Sequence, residues 1–141
     1  MDSFAFRVGL RFGHMATHEA PVLYSADFAD CQALTQITAD ELVDIFVSAL
    51  TRAGATVVQT LSHAFPETGL TSVLILSESH AVLHTWPETG TVNLDVFSCS
   101  TRLKSLEAVN DLGRALGARG ISVQEVPRAD GHRPISADAR V

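Results

Sequence analysis

Three groups suited to nucleophilic and proton-transfer chemistry, the Ser79 hydroxyl, the His84 imidazole and the Cys99 thiol, lie in one stretch, Leu76 to Ser100 (LSESHAVLHTWPETGTVNLDVFSCS). Their relation in space follows from the residues between them. His80 to Trp86 (HAVLHTW) has strand character, and Thr91 to Ser98 (TVNLDVFS) alternates polar and apolar residues. Pro87-Glu88-Thr89-Gly90 between them has Pro early and Gly last, as a type I turn favours. Two strands around such a turn make an antiparallel hairpin. Setting Trp86 opposite Thr91 pairs His84 with Asn93, His80 with Phe97 and Ser79 with Ser98, and puts Cys99 diagonally beside Ser79. His84 then stands roughly 16 Å from Ser79, at ~3.3 Å per residue of strand. For His84 to serve Ser79, the chain must bend or a second chain must supply the histidine.

The elements around this hairpin can be read in turn. Thr38 and Glu41 form a capping box, so a helix starts there, carries Leu42, Ile45, Phe46, Ala49 and Leu50 on one face, and ends near Gly54. Ala55 to Ser62 and Thr71 to Ser77 read as strands, separated by Pro66, Glu67 and Gly69. A second helix follows the hairpin, capped by Ser100 or Thr101, with Leu103, Leu106, Val109, Leu112 and Leu116 at helical intervals up to Gly117. Ile121 to Val126 is a last strand and Ala5 to Phe12 a first one. Gly13 to Gln36 reads as a long loop with room for a short helix or extended piece, and Pro127 to Val141 as a loosely held polar tail. Two helices on an antiparallel sheet make an α+β domain, a two-layer sandwich with the helices on one face.

At 141 residues, 46% of them hydrophobic, the chain is one domain, residues 1–141, with core enough to fold without metal or disulfide. Ten Lys and Arg against sixteen Asp and Glu leave a net charge of -6 without any basic block, which argues against nucleic acid or an anionic membrane as partner. A cationic small molecule is compatible with that charge. No apolar run approaches the ~18 residues that cross a bilayer, and the start MDSFAFRVGL lacks the pattern of a signal peptide, so a soluble cytoplasmic protein is expected. Cys31 and Cys99 read as free thiols, Cys31 as a structural one.

Leu76 to Ser100 resembles the signature of the short prokaryotic S-adenosylmethionine decarboxylase proenzymes, with Glu78-Ser79-His80, His84-Thr85-Trp86-Pro87-Glu88 and Asp95-Val96-Phe97-x-Cys99 at matching spacing. The likeness extends through Ser62-His63-x-Phe65 and Gly69-Leu70-Thr71, and in outline to both flanking helices. It implies self-processing. The Ser79 hydroxyl would attack the Glu78 carbonyl, and the resulting ester would eliminate and hydrolyse to residues 1–78 and a chain 79–141 headed by a pyruvoyl group. That group would bind the substrate amine as a Schiff base and accept the electrons released as carbon dioxide leaves. By the same resemblance His84 handles protons in self-cleavage with a hydroxyl from Thr71, and Cys99 protonates the substrate α-carbon. Phe65 would stack on adenine and Glu88 would hold the ribose hydroxyls. The family shares its active sites between two protomers, which agrees with the span between Ser79 and His84 and implies a homodimer of processed chain pairs. The product would feed spermidine synthesis.

Some positions depart from the family pattern. Ser72 stands where a small glycine is expected, Ala81 and Thr89 replace bulkier residues, and the segment up to Cys31 is longer. The processing residues are untouched, but the pocket that selects the amine is affected, which leaves decarboxylation of ornithine or arginine open. A catalytically silent paralogue that regulates an active partner is the third reading. His80 and His84 would suggest a metal on a helix, yet on a strand they stand roughly 13 Å apart, and no metal is expected. His14 and His18 share that spacing without further ligands, and His63 either lines the cleft or packs locally.

Overall fold

Alternation like that of the hairpin runs through the inner strands of one sheet. The computed structural model describes residues 21–100 and 103–129. They form β1 (Val22–Ala29), α1 (Ala39–Arg52), β2 (Val57–Ala64), β3 (Leu70–Leu76), β4 (Ser79–Trp86), β5 (Thr91–Ser98), α2 (Ser105–Leu116) and β6 (Gly120–Pro127), with a 3-10 turn at Leu34–Gln36. The six strands make one antiparallel sheet in the order β2-β3-β4-β5-β1-β6. Every second residue of the inner strands is buried: Leu70, Ser72, Leu74 and Leu76 on β3, Ala81 and Leu83 on β4, Val92, Leu94 and Val96 on β5. That row packs under Phe46, Ala49 and Leu50 of α1 and Val109, Leu112 and Leu116 of α2. The result is the expected two-layer α+β fold, with both helices on one face and, among the described residues, the other face bare.

Local chemistry accounts for the helix ends. Thr38 accepts from the Glu41 amide and Glu41 from the Thr38 amide, the expected capping box, a feature worth about 1 kcal/mol. At the far end of α2, Gly117 takes a left-handed φ of 63° that lets the chain turn sharply into β6. Arg52 of α1 reaches Asp111 of α2 at 3.2 Å and Arg114 binds the same carboxylate, so the two helices are joined by charge as well as packing.

Two expectations need correction. Within the segment read as a loop from Gly13 to Gln36, Val22 to Ala29 is a full strand between β5 and β6. Its helix-facing Ala26 and Phe28 are buried while Ser25 and Asp27 occupy the bare face, a short alternation hidden by the irregular sequence around it, with His14, His18, Pro21 and Asp30. α2 starts at Ser105 behind Lys104 and has no side-chain cap, later than the start expected from a cap at Ser100 or Thr101. Lys104 donates its backbone N–H to the Ala53 carbonyl at 2.7 Å, so the chain is tied to the end of α1 before it begins to coil. The strand expected at Ala5 to Phe12, His14, His18 and most of the polar tail lie outside the described residues. Pro127, placed in that tail, is the last residue of β6.

Candidate active site

The β4–β5 register is the expected one throughout: Ser79 faces Ser98, His80 faces Phe97, His84 faces Asn93 and Trp86 faces Thr91. It divides the candidate residues into two groups at opposite ends of β4.

At one end, Ser77 and Glu78 form a two-residue turn between Leu76 and Ser79, which pair across it. Such tight hairpin turns normally place positive φ on their central residues. Here the positive value falls on the residue after them: Ser79 has φ 152°, a backbone setting rare outside glycine, on the C-terminal side of the Glu78–Ser79 bond. The Glu78 carboxylate is buried and accepts the Thr56 backbone N–H at 3.2 Å, and the Ser77 amide donates to the Thr56 carbonyl. The Glu78 carbonyl oxygen receives two donors from one residue, the Cys99 backbone N–H and the Cys99 thiol, each at 3.4 Å. Cys99 thus sits beside the Glu78–Ser79 peptide, as the hairpin spacing required. The Ser79 hydroxyl lies 3.3 Å from Nδ1 of His80. A cavity of about 410 Å³, lined by Tyr24, Ser98, Cys99, Leu103 and Lys104 among others, opens next to Cys99.

At the other end, the Thr71 hydroxyl lies 2.8 Å from Nδ1 of His84. These two expected processing residues are brought together on the bare face. They belong to a row that crosses the sheet from His63 through Thr71, His84, Asn93 and Asp27 to Ser122. Within it Asn93 donates to Asp27 and accepts from the Trp86 indole, both at 2.7 Å, which fixes the side chains that flank His84. His63 meets Phe65 edge to face at 4.9 Å, so it lies in this cluster. Phe65, half exposed, caps β2, and both it and Pro87 close on Gly69, which sets the β2–β3 turn beside the turn that carries Glu88.

Of the positions that depart from the pattern, Ser72 and Ala81 are buried under the helices, and the Ser72 hydroxyl bonds to Ser62 at 2.7 Å. Thr89, in the turn with Glu88, binds the Trp86 carbonyl and the Thr91 hydroxyl. Cys31 is buried, and that burial, with Asp30 beside it, pushes its thiol up, as befits a packing residue. Among the described residues no three His, Cys, Asp or Glu gather as metal ligands, and no helix is long and apolar enough to cross a membrane. The spacing of the sequence could not show the contact between Ser79 and His80, because neighbours on a regular strand point to opposite faces and the irregular φ at Ser79 leaves no trace in composition.

Comparison with known proteins bears on the family and the fold. A family model described as S-adenosylmethionine decarboxylase matches residues 23–129. The S-adenosylmethionine decarboxylase proenzyme of Clostridium tetani is 34% identical over 114 residues, covering 81% of this chain and 90% of that one. That of Acidithiobacillus ferrooxidans is 37% identical over 103 residues, covering 73% of this chain and 77% of the relative. The crystal structure of the adenosylmethionine decarboxylase from Aquifex aeolicus superposes with a TM-score of 0.71 over 88% of this chain and 99% of that one, at 23% identity, and so shares its fold.

Proposed function

The chain belongs to the S-adenosylmethionine decarboxylase family, and from that premise we propose that it splits itself between Glu78 and Ser79 and then decarboxylates S-adenosylmethionine. The observation that carries this reading is the Glu78–Ser79 peptide, with two Cys99 donors on its carbonyl and an unusual φ on its serine. Attack by the Ser79 hydroxyl oxygen on that carbonyl forms a C–O bond and puts negative charge on the oxygen that Cys99 holds. Collapse breaks the C–N bond, and the nitrogen of Ser79 leaves as a protonated amine, so that a peptide has become an ester. Removal of the Ser79 Cα proton then expels Glu78 as a carboxylate. Water hydrolyses the remaining enamine, with loss of ammonia, to leave a pyruvoyl group on the chain 79–141. The β3–β4 ladder keeps the two products together.

The pyruvoyl carbonyl supplies an electrophile for the substrate amine and a sink for the electrons released as carbon dioxide departs. Cys99, already beside that position, delivers a proton to the substrate α-carbon. Phe65 offers an exposed ring to the adenine, Glu88 takes the ribose hydroxyls, and His84 with Thr71 handles protons during processing. Because His84 stands roughly 16 Å along β4 from Ser79 at ~3.3 Å per residue, a complete site takes Ser79 and Cys99 from one protomer and His84, Phe65 and Glu88 from another. The enzyme on this reading is a cytoplasmic homodimer of processed chains, acts on a small cationic substrate, and supplies decarboxylated S-adenosylmethionine for spermidine synthesis.

The mass of the purified protein in denaturant tests the first half: fragments 1–78 and 79–141 are expected, the latter without a free amino terminus. An intact folded chain would overturn it. Carbon dioxide release from labelled S-adenosylmethionine, ornithine and arginine tests the second half. Release from S-adenosylmethionine alone is expected, and release from only ornithine or arginine would refute the substrate assignment.

A further inference from the structure

The residue expected to manage protons for Ser79 is out of its reach within one chain. His84 is bonded to Thr71 at the far end of β4. A different imidazole stands at Ser79: Nδ1 of His80, 3.3 Å from the hydroxyl oxygen. The His80 ring is not loose, because it lies 5.5 Å from the Phe97 ring in a tilted contact across the β4–β5 ladder, and the Arg128 guanidinium lies 5.6 Å from the centre of that same Phe97 ring. The Ser79 end of one protomer therefore holds a hydroxyl nucleophile, an imidazole within hydrogen-bond distance of it, and two donors on the carbonyl it would attack.

We propose that His80 is the base for the first step of self-processing, and that this peptide-to-ester shift runs inside a single chain. The inference rests on the reading of Glu78–Ser79 as the processed bond. Nδ1 of His80 takes the hydroxyl proton as the Ser79 oxygen bonds to the Glu78 carbon, and the imidazolium returns that proton to the Ser79 nitrogen as the C–N bond breaks. Proton and electron pairs balance without any further reactant. His84, supplied by a second protomer, is left for the steps after the ester.

Hydroxylamine cleaves esters and spares peptides, which allows the shift to be read apart from the later elimination. Freshly translated, labelled chains are sampled over time, treated with hydroxylamine in denaturant and scored for total splitting at Ser79. Positioned acid–base groups contribute about 100-fold or more, so His80→Ala is expected to slow the appearance of split chain about 100-fold, and added imidazole to restore at least tenfold. His80 is exposed, so its loss leaves the buried layer intact, and circular dichroism checks the fold. His80→Gln takes the place of the alanine variant if that chain misfolds. Splitting of the variant at the native rate, or slow splitting that imidazole does not relieve, overturns the role as base. A native chain that is never split, even by hydroxylamine, overturns instead the reading of Glu78–Ser79 as the processed bond.

Discussion

The two Cys99 contacts on the Glu78 carbonyl have unequal weight, and the difference makes a prediction. The backbone N–H survives any substitution at Cys99, whereas the thiol at 3.4 Å is a weak donor that alanine removes. Cys99→Ala should therefore slow self-cleavage by about tenfold at most while lowering turnover by about 100-fold or more, since the proton donor of the proposed mechanism is lost. Fragment yield followed in time and carbon dioxide release on the fully processed variant separate the two effects, and equal losses would assign Cys99 to folding or cleavage. Ser79→Ala should abolish both, because on the proposed mechanism one residue is nucleophile and cofactor precursor. A single turn assignment, Pro87 to Gly90, was enough to bring Ser79 and Cys99 together on paper, because a hairpin register has only one free parameter once its turn is known. The Thr71–His84 contact needed a second hairpin, β3–β4, whose turn Ser77-Glu78 has none of the Gly, Asn or Asp residues that mark a two-residue hairpin loop and so gave no register.

Elements with a strong internal signal were readable, and those defined by their neighbours were not. α1 announces itself through Thr38, Glu41 and an apolar face, whereas β1 has only a short alternation and is held in place by ladders to β5 and β6, and the start of α2 is decided by the Lys104 bond to Ala53. The helix pair supplies a pH-dependent term. A hydrogen bond from Arg52, aided by Arg114, holds the Asp111 carboxyl below the usual carboxylate range despite some desolvation. A carboxyl whose folded pKa lies below its unfolded value of about 4 contributes stability at higher pH and loses it as pH falls through the folded value. Thermal melts should show Asp111→Asn less stable than the native chain near neutrality, with the gap closing as the pH drops below about 4. A constant gap would mean that the carboxylate charge is not what joins the helices. At the β2–β3 turn, Gly69 has φ 97°, and a Cβ there would stand 2.8 Å from the Thr85 carbonyl oxygen. Gly69→Ala should cost about 1–3 kcal/mol and, by shifting Phe65, raise KM for substrate more than it lowers kcat. An unchanged KM would separate Phe65 from binding.

At the scale of the molecule, the bare face poses the question that the single chain leaves unanswered. Leu61 is 69% exposed, Ile75 47%, Trp86 49% and Val126 39%, spread over the side of the sheet away from the helices. A soluble monomer rarely keeps so much apolar surface on one face. The same face carries His84 and Thr71 near one end and His80 near the other, so a second copy laid across it with its strands reversed would bring His84 of one chain toward Ser79 of the other. Such a dimer has two sites, each built from both chains, and complementation exposes that property. Cys99→Ala and Glu88→Gln chains should each have low turnover alone. Coexpressed in equal amounts, half of the dimers would pair one of each, and in these one site would carry both defects while the other carried none. Turnover should then rise to about one quarter of the native value, the share expected when chains of a two-fold dimer mix at random. Activity no greater than the average of the two variants, with mixed dimers present by native mass spectrometry, would mean that each chain completes its own site, and that the roughly 16 Å between Ser79 and His84 at ~3.3 Å per residue is closed by bending rather than by a partner.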